Sequence, residues 1–245
     1  MTVRLERLGP VAELVLARPA RRNALTTQML AQLGRCADRL AEDPDVRAVV
    51  LRGEGPSFCA GADLAEFAQV DPRAAVEEWT PAGQRAFARL AALPVPTVAA
   101  VAGHALGGGL ELAATTTFRV AAPDAVLGMP EIEIGTLPGW SGLSRLPALV
   151  GTQRARRLLV LGERVTGATA LDWGLVDRVA PDPVAAARAI ADELAGRPPV
   201  AVRLALAALA DPVRPAVDLV ERLAAAATVE SVEVRAVTAA RGGTR

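Results

Sequence analysis

Two carboxylates and two glycine-bearing corners are the parts of this chain that could do chemistry. The first corner is Val101-Ala-Gly-His-Ala-Leu-Gly-Gly-Gly-Leu-Glu-Leu112. An apolar run from Thr97 to Val101 reads as a buried strand, and Leu110 to Ala114 as the first turns of a buried helix. Between them Gly107, Gly108 and Gly109 remove every side chain, so main-chain N–H groups at the helix entrance can closely face a ligand. Such groups suit negative charge on a carboxylate, a phosphate or an enolate oxygen. One turn further in, Glu111 is a carboxylate in an otherwise apolar helix. Ionised and unpaired it is costly there, so it needs a partner or a task. Taken alone, the same stretch also reads as a tight strand-to-helix turn with a paired Glu.

The second corner is Phe58-Cys-Ala-Gly-Ala-Asp-Leu64. Gly61 permits a tight turn that leaves the Ala62 N–H pointing outward at a helix start, and Asp63 can cap that start or accept from a ligand. With the Gly108 N–H this makes two donors at strand ends of one sheet, the arrangement a thioester oxygen needs when charge moves onto it. A third corner adds Pro130-Glu131, followed by Gly135-Thr-Leu-Pro-Gly139. Two carboxylates and two donors make an acid/base site for an acyl substrate.

The elements around these corners read as an α/β framework. Val3 to Leu8 and Val11 to Ala17 are strands about Gly9-Pro10, and Thr26 or Thr27 caps a helix to about Ala41. Val46 to Leu51 is a strand, Pro72 to Leu93 a helical stretch, and Thr117 to Ala121 a further strand. Strands alternating with helices and ending in Gly-containing turns argue for parallel layering with the loops gathered at one end. After Pro138-Gly139 the pattern is helical: Gln153 to Leu161, Ala168 to Trp173, Pro183 to Leu194, Val200 to Leu209 and Pro215 to Ala227, with only Leu175 to Val179 as strand. A boundary near Gly196-Arg-Pro-Pro199 divides a core, 1–196, from a helical C-terminal oligomerisation or capping region, 197–245.

Composition excludes several functions. The 245 residues carry no net charge, which removes the electrostatic case for nucleic acid or an acidic membrane as partner. Lys is absent and all 27 basic residues are Arg, so no lysine Schiff base or lysine general base is available. Cys36 and Cys59 have neither metal-ligand spacing nor a disulfide framework, and fit reduced thiols of a cytoplasmic protein. No opening apolar segment suits export or membrane spanning. Aromatic residues are 3% of the chain, so the core must be built from Ala, Val and Leu. His104, the only histidine, has no Ser or Cys placed with it as an obvious nucleophile and reads as structural. Arg154, Arg156 and Arg157 read as a solvated helix face or a subunit contact.

Together these stretches resemble the crotonase superfamily, most closely the enoyl-CoA hydratases. The resemblance rests on Arg18-Pro with Asn23-Ala-Leu25, Phe58 to Leu64, Gly103 to Glu111, Pro130-Glu-Ile132 with Gly135 to Gly139, and Leu159 to Asp177, all in order over residues 3–200. It implies a crotonase-like α/β fold, a ββα spiral core with a helical C-terminal region. Ala62 and Gly108 would then supply the oxyanion-hole N–H groups, Glu111 would hold and activate water, and Glu131 would exchange the proton at the α-carbon. CoA would lie along Arg22, Ala24, Ala60, Asp63 and Leu64, with Gly139 helping to position the water. No cofactor is implied beyond the CoA of the acyl-CoA thioester substrate, and the expected assembly is a homotrimer or a dimer of trimers. Carboxylates sharing one water push their pKa values apart, so one can be protonated at neutral pH.

Two features depart from the family pattern. Trp140-Ser141 follows Gly139 where small residues are usual, and Glu221 to Arg245 lacks the expected Phe and Gly pattern. The alternatives are other acyl-thioester chemistry on the same oxyanion hole (isomerisation, a specialised dehydration or hydrolysis, including a carrier-protein thioester) and a non-catalytic scaffold of the same fold.

Overall fold

The computed structural model describes residues 2–210. The chain opens with β1 (Val3–Leu8) and β2 (Val11–Leu16), an antiparallel pair, then α1 (Thr27–Glu42), whose start is capped by the Thr26 side chain accepting from the Met29 N–H. β3 (Ala48–Gly53), α2 (Leu64–Phe67) and α3 (Pro72–Ala74) follow. The helical stretch read from Pro72 to Leu93 is broken: a π-helical turn, Ala75–Trp79, separates α3 from α4 (Thr80–Ala91). Next come β4 (Thr97–Val101), β5 (His104–Leu106), α5 (Gly108–Ala113), β6 (Phe118–Ala121), β7 (Val126–Gly128) and a 3₁₀ turn, Pro130–Ile134. The chain continues through α6 (Gly142–Leu161), β8 (Arg164–Thr166), α7 (Gly167–Trp173), β9 (Arg178–Val179), α8 (Pro183–Ala195) and α9 (Pro199–Ala210). α6 begins well before Gln153 and is interrupted at Gly151, where φ is +75°.

The main sheet runs β1-β2-β3-β4-β6-β9, parallel from β2 onward. Side chains alternate across it, as the two-residue period of a strand requires. Val49 and Leu51 of β3 face the principal core with α1 and α4, while Ala48 and Val50 face a second layer closed by Ala187 and Ala191 of α8. Burial on both faces explains why these strands read as unbroken apolar runs. Glu13 of β2 is fully buried between Arg52 and Arg188, which ties α8 to the sheet. Buried Arg119 likewise holds β9 through Asp177 and the Leu175 carbonyl.

A second sheet, β5-β7-β8, was not foreseen from the sequence. β5 pairs in parallel with β7, and β7 antiparallel with β8. The strand read at Leu175 to Val179 shrinks to β9, because Leu175 and Val176 donate back to the Ala170 carbonyl within α7. Of the region read as 197–245, α9 lies within the described residues. The helix read at Pro215 to Ala227 and the divergent stretch Glu221 to Arg245 lie outside them. Among the described residues no helix is long and apolar enough to cross a membrane.

Candidate active site

The site is assembled from three segments that pack on one another. Residues 57–62 dock on β5: Cys59 bridges Ala105, the Cys59 N–H donates to the His104 carbonyl, and the Leu106 N–H donates to the Cys59 carbonyl. On its other side the same segment is held by Leu25, which bridges Ala62 by donating to the Gly61 carbonyl and accepting from the Asp63 N–H. Buried Asn23, in the left-handed region at φ +57°, donates to the Glu54 and Ser57 carbonyls and so fixes the start of this loop. Close packing explains the glycines here. A Cβ on Gly109 would collide with the Cys59 carbonyl, and one on Gly61 would stand 2.7 Å from the Leu106 oxygen.

The two expected donors therefore do not end strands of one sheet. Gly108 follows β5 of the small sheet, and Ala62 sits in a loop clasped between β5 and Leu25. They nonetheless converge, since a Cβ on Gly108 would lie 3.6 Å from the Ala62 nitrogen. Among the described residues neither N–H has a protein acceptor. Both residues line a cavity of about 280 Å³.

Glu111 and Glu131 line the same cavity. Glu111 is buried, and its Oε1 accepts from the Trp140 N–H at 2.8 Å and the Gly142 N–H at 2.6 Å. Ser141 between them is left-handed, φ +87°, the turn that aims two successive N–H groups at one oxygen; such strain in a non-Gly residue persists where the surroundings enforce it. Burial raises the Glu111 carboxyl to about 7, partly offset by the Gly142 and Trp140 hydrogen bonds and reinforced by the Glu131 charge. Glu131 comes from the 3₁₀ turn and leans on Gly107, where a Cβ would stand 2.6 Å from Oε1. Its pKa is also raised by burial, and its buried Oε2 has no hydrogen-bond partner among the described residues. Both carboxyls are thus biased toward protonation, Glu111 across neutral pH.

Ala60, Leu64 and Gly139, read from the sequence as CoA or water contacts, also line the cavity. Arg22, Ala24 and Asp63 stand outside that lining. Arg22 is exposed and its carbonyl accepts from the Ala60 N–H, while the Ala24 carbonyl accepts from Arg18. Asp63 caps α2 through the Ala65 and Glu66 N–H groups and pairs with Arg18 at 2.5 Å, which holds its carboxyl below the usual carboxylate range. Arg18, part of a family motif in the sequence, was given no role there, and neither were Phe67 and Trp79, which share the cavity wall with Trp140. Aromatic type and helical spacing hold the only hint for those two.

The reading of His104 needs correction: Ser57 is placed with it, Oγ to Nδ1 at 3.1 Å, with the Ser57 side chain itself buried. The arginine cluster is not merely solvated. Arg157 forms a two-pronged pair with Glu163 and stacks 4.7 Å over the Trp173 ring, and Arg154 donates to the Trp173 carbonyl. Cys59 packs as a small hydrophobe, its thiol pushed by burial up to about 12. Among the described residues no cluster of three or more His, Cys, Asp or Glu could hold a metal ion.

The chain is similar to known proteins along most of its length. Residues 6–236 match the family model described as enoyl-CoA hydratase/isomerase. A Bacillus subtilis protein named "Probable enoyl-CoA hydratase" is 41% identical over 180 residues, 72% of this chain and 70% of that protein. An enoyl-CoA isomerase/hydratase of Zymoseptoria tritici is 42% identical over 178 residues, 70% of this chain and 57% of that protein's length. Among solved structures, an enoyl-CoA hydratase from Bacillus anthracis superposes with a TM-score of 0.93 at 31% identity, covering 99% of this chain and 97% of that one. The clasped donors, the paired glutamates and these similarities converge: the chain has the crotonase fold, and it is a crotonase-type enzyme of the enoyl-CoA hydratase/isomerase family.

Proposed function

We infer that this enzyme is an enoyl-CoA hydratase, adding water reversibly to a 2-enoyl-CoA thioester to give the 3-hydroxyacyl-CoA. The observation that carries the reading is a buried glutamate, Glu111, and a half-buried one, Glu131, on one cavity with two unengaged N–H groups, those of Ala62 and Gly108. In the forward direction the thioester oxygen accepts from both N–H groups. Water held by Glu111 attacks the β-carbon, and Glu111 takes its proton. Electron density passes through the conjugated system to the carbonyl oxygen, where the two donors stabilise it. The α-carbon then takes a proton from Glu131, whose pKa burial raises above the ordinary carboxyl value. Trp140 and Gly142 hold Glu111 in place by main-chain hydrogen bonds that leave Oε2 for the water.

Isomerisation of the double bond is the competing reading, since the family description and the names of two relatives carry both activities. Moving a proton from one carbon to another needs a single carboxylate; two favour hydration. In this reading CoA lies along Arg22, Ala24, Ala60, Asp63 and Leu64, with Asp63 shaping the loop through Arg18, and Gly139 helps to seat the water. The reaction draws on no metal or redox cofactor. A homotrimer or dimer of trimers in the cytoplasm goes with it, the 197–245 region serving assembly, and sizing in solution tests this.

The deciding experiment follows loss of the ultraviolet absorbance of crotonyl-CoA on mixing with the enzyme. Rapid loss with a 3-hydroxybutanoyl-CoA product supports the hydratase. Binding without loss, together with conversion of a 3-enoyl-CoA into the conjugated isomer, replaces it with the isomerase.

A further inference from the structure

Trp140 is the largest fully buried side chain among the described residues, and it stands in the wall of the cavity. The six-membered edge of its indole lies on Gly108 and the pyrrole edge on Gly83 of α4, so closely that a Cβ at either glycine would overlap the ring. The indole therefore fills the gap between α4 and the start of α5. Glycine weakens a helix interior, yet Gly83 sits buried within α4, and the three atoms nearest a Cβ there all belong to this indole.

The ring is braced by its neighbours. Trp79 lies 4.8 Å away and Phe87 5.4 Å away between ring centres, and Phe67 lies 5.0 Å from Trp79. The chain has only four Phe and three Trp, and four of these residues form this one connected stack. Three of the four, Phe67, Trp79 and Trp140, stand in the cavity wall, and Phe87 backs Trp140 from behind it.

We propose that the Trp140 indole is the floor of the acyl-chain pocket and restricts the enzyme to thioesters of short acyl chains. The proposal rests on the hydratase reading above. A carbonyl held by the Ala62 and Gly108 N–H groups puts the α- and β-carbons beside Glu111 and Glu131, directly in front of the ring that lies on Gly108. Carbons beyond the β-position meet that ring rather than open space between α4 and α5. The cavity of about 280 Å³ lies at the low end of the roughly 300–1,000 Å³ of sites that take a drug-sized ligand, and it must also admit the thioester end of the CoA arm. With Gly83 and Phe87 behind it, the indole has no room to retreat.

The test is a chain-length series from crotonyl-CoA to 2-dodecenoyl-CoA, with the saturated acyl-CoAs of the same lengths titrated by calorimetry. It runs on the parent enzyme, Trp140→Phe and Trp140→Ala. We expect the parent kcat/KM for dodecenoyl-CoA to fall at least about tenfold below that for crotonyl-CoA, the discrimination given by misfit of one methylene or more. In Trp140→Ala the ratio closes to within about threefold, and Trp140→Phe falls between. Affinities of the saturated thioesters, which need no turnover, follow the same order. A parent that accepts dodecenoyl-CoA as readily as crotonyl-CoA overturns the proposal. So does an Ala variant that slows every length by the same factor. Because the parent series and the Phe variant stand without Trp140→Ala, loss of folding in that variant leaves the test intact. Length-dependent binding without hydration at any length sinks the hydratase reading and keeps the floor. No acyl-CoA binding at all sinks both.

Discussion

The main-chain N–H of Trp140 donates to Glu111 Oε1 at 2.8 Å, so a residue outside regular structure holds the carboxylate of a buried helix. The Gly142 N–H doubles that hold on the same oxygen. A change at Glu111 that keeps an acceptor oxygen in that place can alter the reaction while both N–H groups stay engaged, whereas one that removes it leaves two buried donors without a partner.

Glu111→Gln and Glu131→Gln are each expected to lower kcat for crotonyl-CoA hydration by about 10²–10⁴, the usual worth of a positioned acid or base. In Glu111→Gln the amide oxygen can still accept from Trp140 and Gly142, so binding of a saturated acyl-CoA stays within a few-fold of the parent. Steady-state kinetics paired with calorimetry separates the two effects. Full activity in either variant sinks its assigned role.

The raised pKa of Glu111 has consequences for both rate and stability. Since the base must be ionised, kcat/KM should climb with pH through about 7. For stability the folded protein holds a proton on Glu111 that the unfolded chain has already released, between the ordinary value of 4.5 and about 7. Stability therefore falls as pH rises across that window, by roughly 3 kcal/mol, and levels off above it. Urea melts of the parent and Glu111→Gln between pH 5 and 8 check this, and the variant should lack that part of the slope.

Glu13 titrates in the opposite sense. Burial pushes its pKa up, but hydrogen bonds from Arg188 and Arg52 outweigh burial and hold it below the ordinary value. Its contribution is present above the unfolded pKa and is lost as pH falls through the folded one. Glu13→Gln should lose about 2 kcal/mol at pH 7, less than the 3–5 typical of a broken buried pair, because both guanidiniums reach solvent. The deficit should shrink in acid, and melts at pH 7 and pH 4 would reveal it.

Gly108→Ala keeps the N–H donor but drives a methyl group into the Trp140 ring. The expected result is loss of kcat by at least about tenfold with a shifted tryptophan emission, since misplacement of a catalytic donor is costly. Unchanged emission and unchanged kcat would mean that the ring and the donor are not in contact.

Arg18→Ala removes the partner of Asp63 and the tie to the Ala24 carbonyl. With the α2 cap itself intact, we expect KM for the CoA thioester to rise several-fold and kcat to change little. An equal fall in both kcat and kcat/KM would place Arg18 nearer the chemistry than its position suggests.

Local signals carried much of this fold. Thr26 before an amphipathic run gave α1, and the apolar run at Thr97 to Val101 gave β4 with the same bounds it has in the structure. Glu111 drew attention because a carboxylate in an apolar helix has to be accounted for. What escaped were features without a residue-type signal. β5 is three residues long, too short for a period, and its partners β7 and β8 lie far along the chain. The N–H groups that hold Glu111 belong to Trp140 and Gly142, and any residue other than proline could supply them. Gly83 gave no sign of its purpose, because what it accommodates lies in another segment.

The clasp of residues 57–62 between Leu25 and β5 also bears on how the enzyme comes into being. During synthesis Ala62 leaves the ribosome well before Gly108, and its loop has no strand to rest on until His104–Leu106 has emerged. The Glu111 cradle at Trp140 and Gly142 arrives later still. The site thus cannot close before Gly142 has emerged, long after Ala62 has left the ribosome. Thioester binding during refolding would time the closing of these distant segments more faithfully than helix content does.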